Sequence, residues 1–207
     1  MHAPQSKPVG FHLDVSAEHI TRALRENGAA SFPILSTEAT RRYAEAAGEC
    51  GFESAAATAG RYNVAQDFDI CPDVPRSNPI RELREALELR LDTLLGPAGA
   101  NVLDGPLRLN DVVLQRYAAG SRGISPHRDG KRFINLVCIV VLCGSAPFAV
   151  CDDRAGSNAR EVEAGPGSLI LLRAPGFLGE QPRPFHYVGD VASERITASF
   201  RQRVERS

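Results

Sequence analysis

Length, composition and charge already exclude several classes of protein. The chain has 207 residues, with 24 Lys and Arg against 25 Asp and Glu and a formal net charge of −1. A chain of this length buries roughly 70% of its unfolded surface, so folding requires neither a metal nor a disulfide. The balanced charge gives no global positive field. Composition therefore predicts no general attraction to nucleic acid or anionic membranes, although a local basic patch stays possible.

The cysteines and the first ten residues indicate the compartment. The five cysteines are odd in number and form no C-x-x-C pair, which argues against a disulfide framework and a structural zinc site. Residues 1–10 lack the apolar stretch of a signal peptide, and no run of about 18 apolar residues occurs. We expect a cytoplasmic protein with reduced thiols and no membrane association.

The N-terminal part predicts helices with clear end signals. Ser16 begins a helical pattern that Gly28 ends. A strand is expected at residues 30–35, followed by a second helix that either Ser36 or Thr37 can cap.

Residues 61–79 show neither a helical nor a strand period and contain three prolines. An irregular segment of this length usually has a function, so we expect a lid or substrate loop. Asn78 and Pro79 then open a third helix at residues 80–95. Its leucines recur at helical spacing and should pack against a sheet, at positions Leu83, Leu87, Leu91 and Leu94.

From residue 108 the pattern changes to short strands separated by Gly, Pro and Asp turns. They are expected at residues 109–117, 133–142, 148–151, 160–163, 168–172, 186–188 and 195–203. Such a run is typical of an antiparallel sandwich or barrel. We therefore expect an α+β chain that forms one domain over residues 1–207. Residues 1–100 would give mainly helical support and a lid, and 101–207 a jelly-roll core.

A His-x-Asp motif, His127 and Asp129, lies between two of these strands. Residues two apart in extended backbone share a face, so the imidazole and the carboxylate can point at one metal ion. His186, on a late strand, can supply a third ligand. Two histidines and a carboxylate on one face of an ion leave the opposite positions open, as in non-haem Fe(II) oxygenases.

Each ligand also has an ordinary interpretation. Asp129 and Gly130 form a good hairpin turn signal, and His127 alone would be unremarkable. The combination favours a site, because the chain has only five histidines. His186 follows Asp129 by 57 positions, which is room for about four strands that return a late strand to an early one.

The last strand carries a candidate carboxylate anchor. Arg195 has the hydroxyl of Thr197 two residues on, a pair that suits bidentate capture of a carboxylate. Thr197 and Arg195 share their face with Ser199 and Arg201, and this polar face either is solvated or lines the interior of a barrel. On the 109–117 strand, Gln115 and Tyr117 share a face. They are either wall residues or hydrogen-bonding partners of a cosubstrate.

These residues resemble the Fe(II)/2-oxoglutarate-dependent oxygenases over about the last half of the chain. The segments that carry the resemblance are Gln115-Arg116-Tyr117 through Ser125-Pro126-His127-Arg128-Asp129, the turn and apolar strand at 167–172, the distal His186, and 195–201. The resemblance implies a double-stranded β-helix. It also implies that Fe(II) binds to His127, Asp129 and His186, with O2 and 2-oxoglutarate as cosubstrates. The implied reaction hydroxylates a substrate and releases succinate and carbon dioxide.

The resemblance further assigns roles around 2-oxoglutarate. Arg195 would pair with its distal carboxylate, aided by Thr197 and Tyr117, with Gln115 beside them. Arg201 would meet the carboxylate on the metal side. Asp129 argues against halogenation, which in this family needs a small residue at that position.

Two branches of the family fit different features. The Arg195-to-Arg201 spacing and the Arg-Tyr before the motif are similar to AlkB-like dealkylases. The short interval from His186 to Arg195 and the Thr at 197 are similar to small-molecule hydroxylases. The N-terminal half shows no nucleotide-lid motif.

The local charge and the number of aromatic residues give the remaining indication of the substrate. A basic patch beside the motif could hold a phosphate backbone or the carboxylate of an amino acid or organic acid; its members are Arg122, Arg128, Lys131 and Arg132. With no Trp and four Tyr, platforms for base stacking are scarce. We expect a small organic substrate, such as an amino acid or another organic acid, with an AlkB-like nucleic-acid dealkylase as the alternative. A non-catalytic jelly-roll binding protein is a further alternative, against which the intact ligand set and Arg195 argue. A cupin is another, but cupins prefer a second His where this chain has Asp129.

Overall fold

The computed structural model describes residues 10–179 and 182–204, and its helices all lie in the N-terminal half. They are α1 (Ala17–Asn27), α2 (Thr37–Gly48) and α3 (Ile80–Leu95). None of these three combines the length and apolar character that a membrane crossing requires.

Local capping explains where the first two helices begin. The Ser16 hydroxyl accepts a hydrogen bond from the His19 amide at 3.1 Å, and the Ser36 hydroxyl accepts one from the Ala39 amide at 3.2 Å. Each bond satisfies an amide that has no partner within the helix. Gly28 ends α1 with φ of 77°, which glycine adopts without steric cost. The predicted caps are confirmed, and Ser36 rather than Thr37 caps the second helix.

Helix α3 begins where Asn78 accepts a hydrogen bond from the Ile80 amide at 3.0 Å. Its apolar stripe lies in a core cluster that also contains sheet side chains such as Leu114 and Phe200. Four leucines are fully buried: Leu83, Leu87, Leu91 and Leu95. Leu94, which the spacing placed in the stripe, is only partly buried.

The described strands are antiparallel throughout and form two sheets. They are β1 (Ala29–Pro33), β2 (Glu53–Ser54), β3 (Thr58–Ala59), β4 (Val64–Asp67), β5 (Asp69–Cys71), β6 (Asp111–Tyr117), β7 (Gly123–His127), β8 (Phe133–Cys143), β9 (Phe148–Cys151), β10 (Arg160–Glu161), β11 (Ser168–Arg173), β12 (Phe185–Val188) and β13 (Arg195–Arg203). The first sheet has the order β1-β11-β8-β13-β6-β5-β2, and the second has the order β10-β9-β12-β7-β4-β3. From β6 to β13 the chain alternates between the sheets, except where β9 and β10 follow one another in the second.

Strand β8, next to the centre of the first sheet, is buried on both faces, and its residues are apolar except Asn135. One set of alternate side chains joins the core under the helices: Leu136, Cys138, Val140 and Leu142. The other set joins a second cluster with side chains from both sheets: Val137, Ile139 and Val141. Helix α1 packs on β1 and β11, and α2 packs on β8 and β13. The helices thus cover the outer face of the first sheet and leave its inner face toward the second sheet.

Two local predictions are wrong. Residues 61–79 are not irregular throughout, since they contain β4 and β5, which pair with β7 and β6 at the sheet edges. These strands are short and partly polar, so backbone pairing rather than a hydrophobic period defines them.

The segment before the metal motif is also a strand, β7, where the sequence suggested a single hairpin around Asp129 and Gly130. Gly123 has φ of 76°, and a Cβ there would lie 2.2 Å from the Val188 carbonyl oxygen. Only glycine allows this approach of β7 to β12. The chain therefore crosses to the second sheet and returns, and Asp129 lies in the return loop.

Candidate active site

Strand pairing brings the three predicted metal ligands together. His127 at the end of β7 is directly opposite His186 on β12. Directly opposite residues share a face of the sheet, so their Cβ atoms are close. Their ring centroids are 4.3 Å apart. The candidate ligand atoms of His127, Asp129 and His186 all lie within 4.8 Å of one another, a separation that one ion can bridge.

Backbone carbonyls orient both imidazoles for metal binding. Nδ1 of His127 lies 2.9 Å from the Ser125 carbonyl oxygen, and Nδ1 of His186 lies 3.4 Å from the Pro184 carbonyl oxygen. A carbonyl can only accept, so each Nδ1 carries the proton. Each Nε2 then keeps its lone pair, and the carbonyl fixes the ring as in known metal-bound histidines.

The electrostatics give the ligands the charge states that metal binding needs. Burial lowers the pKa of His186 to about 4, and the charge of His127 adds to that shift. Burial alone would raise the pKa of Asp129, but His186, Arg201 and His127 outweigh it and the net shift is downward. At neutral pH the imidazole of His186 is therefore neutral and the carboxylate ionised, the forms that coordinate metals.

A cavity of about 50 Å³ extends from these ligands between the sheets. All eight site residues predicted from the sequence line it: Gln115, Tyr117, His127, Asp129, His186, Arg195, Thr197 and Arg201.

The structure decides which way the last strand faces. Ile196, Ala198 and Phe200 lie in the core beneath the helices, whereas the alternate residues Arg195 and Thr197 line the cavity. The polar face is therefore the interior one.

Arg195 lies deep in the cavity, and no carboxylate of residues 10–179 or 182–204 forms an ion pair with it. It is only 2% exposed, and its guanidinium carbon lies 5.5 Å from the centroid of the Tyr117 ring. Among the described residues, Nε of Arg195 and the hydroxyl of Thr197 are buried and have no hydrogen-bond partner. Burial lowers the pKa of Arg195, although an arginine remains charged in proteins. A buried charge and hydroxyl without partners are costly, so this end of the cavity is complementary to a ligand carboxylate.

Arg201 has its own counter-ion. Its guanidinium meets Oδ2 of Asp111 at 2.6 Å through Nη2 and at 2.7 Å through Nε. The strand alignment pairs the two residues directly. Arg201 therefore differs from Arg195, which faces the cavity unpaired.

Two more residues complete the cosubstrate end. The pKa of Tyr117 rises to about 12 because the residue is buried, so its hydroxyl stays protonated and can donate. Gln115 lies opposite Thr197 and accepts a hydrogen bond from Ser199 at 3.4 Å.

Sequence reasoning missed three residues around the site. Asp111 shares its strand face with Gln115 and Tyr117, so strand alternation could have identified it. Phe68 packs on Tyr117 with ring centroids 5.1 Å apart, and no sequence signal links them. Arg183 donates to the Asp129 backbone carbonyl and thereby holds the return loop.

Comparisons with known proteins agree with this architecture. No family model matches the chain, and no curated protein matches it. A prolyl hydroxylase from Trichoplax adhaerens, in complex with a hypoxia inducible factor peptide, superposes with a TM-score of 0.67 at 12% identity, covering 90% of this chain and 89% of that one. A 2OG-Fe(II) oxygenase family oxidoreductase from Burkholderia pseudomallei superposes with a TM-score of 0.62 at 13% identity, covering 96% of this chain and 100% of that one.

A third solved structure is HygX from Streptomyces hygroscopicus, with nickel, 2-oxoglutarate and hygromycin B bound. It gives a TM-score of 0.61 at 12% identity and covers 90% of this chain and 86% of that one. The chain therefore has the fold of the 2-oxoglutarate- and Fe(II)-dependent oxygenases.

Proposed function

We propose that this protein is an Fe(II)- and 2-oxoglutarate-dependent dioxygenase that hydroxylates a small organic substrate. One observation carries the proposal: a single cavity joins the His127, Asp129 and His186 group to the buried, unpaired Arg195. The three ligands suit a divalent iron with open positions, and the arginine suits the far carboxylate of a dicarboxylic acid.

The metal end of the cavity would hold the iron through Nε2 of both histidines and a carboxylate oxygen of Asp129. With O2, bound Fe(II) and 2-oxoglutarate would supply an oxidative decarboxylation that yields succinate and carbon dioxide and places one oxygen atom in the substrate. The Ser125 and Pro184 carbonyls keep the two imidazoles in the ligating tautomer.

The far end would hold 2-oxoglutarate. Arg195 would pair with its distal carboxylate, and the hydroxyls of Thr197 and Tyr117 would donate to it. Arg201 is the weaker candidate for this anchor because Asp111 already neutralises it. It would instead lie toward the carboxylate on the metal side, with Gln115 on the cavity wall.

We also propose that β6 to β13 form a double-stranded β-helix that the N-terminal helices buttress as part of one domain. The alternation of these strands between two sheets supports this assignment. The core cluster that α1, α2 and α3 share with the first sheet supports the single domain.

The fold is compatible with substrates of different size. The HygX structure contains hygromycin B and the Trichoplax structure contains a peptide. We favour a small molecule here because the net charge of −1 gives no global field for a phosphate backbone, and the absence of Trp leaves platforms for base stacking scarce.

The test measures binding and turnover in the purified protein. We expect it to retain one Fe(II) per chain under anaerobic conditions and to bind 2-oxoglutarate by calorimetry. On exposure to O2 it should form succinate, and an amino-acid or organic-acid panel should stimulate this more than methylated oligonucleotides at both low and high salt. A protein that binds neither iron nor 2-oxoglutarate would overturn the proposal. Demethylation of the oligonucleotides with steep salt dependence would assign the AlkB-like reaction instead.

A further inference from the structure

Three arginines and two aromatic rings form one continuous stack beside the metal-ligand group. The guanidinium carbon of Arg154 lies 3.8 Å from the ring centroid of Tyr62 and 5.4 Å from that of Phe185. Arg61 lies 4.5 Å from the Tyr62 ring, and Arg128 lies 4.1 Å from the Phe185 ring. We refer to these five residues as the arginine ladder.

The ladder gathers four distant segments at one end of the second sheet. Arg61 and Tyr62 come from the turn between β3 and β4, Arg154 from the loop between β9 and β10, and Phe185 from the start of β12. Arg128 stands between the metal ligands of the return loop, and Phe185 directly precedes His186. The pairing of β4 with β7 carries the β3–β4 turn to this end. The ladder thus connects the predicted lid segment to the metal site.

The positive charges of the ladder are not neutralised by any residue that the structure describes. Within the described part of the chain, Arg61, Arg128 and Arg154 form no ion pair and no side-chain hydrogen bond. The acids next to Arg154 are engaged elsewhere: Asp153 accepts from the Ser157 amide at 3.0 Å, and Asp152 accepts from Asn158 at 2.8 Å. All three arginines are exposed.

Stacking leaves a particular set of donors free. A ring covers the face of a guanidinium, while the N–H groups at its edge stay available in the plane. Such an edge matches the two oxygens of a carboxylate or a phosphate in a bidentate hydrogen bond. The rings also hold each guanidinium in place, so less side-chain entropy is lost when an anion binds.

We propose that the arginine ladder recognises an anionic group, a carboxylate or a phosphate monoester, on the substrate of this enzyme. The inference rests on the proposed function and names the class of its substrate. It assigns recognition to Arg128 and Arg154 first, because their ring contacts span the β9–β10 loop and the return loop. Of the basic patch noted in the sequence, only Arg128 belongs to the ladder.

The experiment uses the full chain loaded with Zn(II), a diamagnetic substitute for Fe(II), and saturated with 2-oxoglutarate so that Arg195 is occupied. Methyl phosphate and N-acetylglycine are titrated, with N-acetylglycinamide as the uncharged control, and binding is followed by ligand-observed NMR. We expect at least one anion to bind and the amide not to. Arg128→Gln and Arg154→Gln should each weaken anion binding by about 10- to 100-fold. If methyl phosphate binds more tightly, the anionic group of the substrate is assigned as a phosphate. If N-acetylglycine binds more tightly, it is assigned as a carboxylate.

Arg22→Gln, on the exposed surface of α1, removes the same charge away from the ladder and should bind the anion like wild type. Arg154→Lys keeps the positive charge but loses the paired N–H groups at the guanidinium edge, so this variant should bind the anion with intermediate affinity. Equal binding of the anion and the amide, or unchanged anion binding in both glutamine variants, would overturn the inference. Zn(II) content and 2-oxoglutarate affinity are measured in the same samples. If the wild-type protein binds neither Zn(II) nor 2-oxoglutarate, but still binds the anion and loses this binding in the glutamine variants, the proposed function is refuted. Anion recognition by the arginine ladder is then supported independently.

Discussion

The two faces of strand β13 are both buried but have opposite chemistry. On β13, Phe200 and its apolar neighbours fill the space under the helices, whereas Arg195 and Thr197 face a cavity and leave polar atoms unpartnered. Leaving buried polar groups unpaired costs on the order of 1–3 kcal/mol each, which the apolar burial on the outer face must offset. The outer face therefore stabilises the fold, and the inner face is kept available for ligands.

The largest effect should come from the opposite wall of the same cavity, at the metal ligands. We expect His186→Ala to abolish iron retention and succinate formation, because it removes a metal ligand. Even the loss of a residue that only holds a ligand in place lowers metal affinity or activity by about 10- to 100-fold. Metal analysis and a succinate assay measure this. The matched control is His12→Ala, an exposed histidine. Equal iron in wild type and His186→Ala would refute the metal site.

The next largest effect should come from a substitution on the outer face of β13. Phe200→Ala should lower the free energy of unfolding by about 3–5 kcal/mol, because Phe200 is fully buried and a cavity remains. Denaturant unfolding measures the loss, and Ser199→Ala, on the inner face, should cost about 1 kcal/mol. A reversed order of these two variants would contradict the division between the faces.

Arg195→Ala should raise the 2-oxoglutarate requirement by about 10- to 100-fold while leaving iron content unchanged, since a charge-assisted hydrogen bond contributes about 1.5–3 kcal/mol. The dependence of succinate formation on 2-oxoglutarate measures it. Arg201→Ala should have the smaller effect because Asp111 already pairs with that guanidinium. If Arg201→Ala raises the requirement and Arg195→Ala does not, the assignment of the two arginines is reversed.

A change in pH should affect the stability of the metal-free protein. His186 has a pKa of about 4 when folded and about 6.5 when unfolded, so between these values the unfolded chain binds the additional proton. The free energy of unfolding should therefore fall as the pH drops from about 6.5 to about 4, by about 3 kcal/mol from this residue. Thermal unfolding with chelator present measures it, and His186→Gln should lose this part of the pH dependence. An unchanged profile in the variant would show that His186 is not buried in its neutral form.

The sequence by itself determined the features that depend on near neighbours. Ser16, Ser36 and Gly28 cap helices through bonds within one turn, and the predicted helix positions are confirmed. The alternation on β13 also predicted that Arg195 and Thr197 share a face, since residues two apart in a strand do so regardless of the fold. The His-x-Asp spacing predicted two ligands on the same principle.

Only the tertiary structure decided the features that depend on which distant strands pair. It placed the polar face of β13 inward, made β7 a strand opposite β12, and brought Phe68 onto Tyr117. It also distinguished Arg195 from Arg201, because the alignment of β13 with β6 sets Asp111 opposite only one of them. Backbone hydrogen bonds between strands carry no residue-specific signal, and paired residues lie up to 143 positions apart, as Ala29 and Leu172 do. The chemistry of each residue was therefore readable in the chain, and the fold decided which of these residues meet.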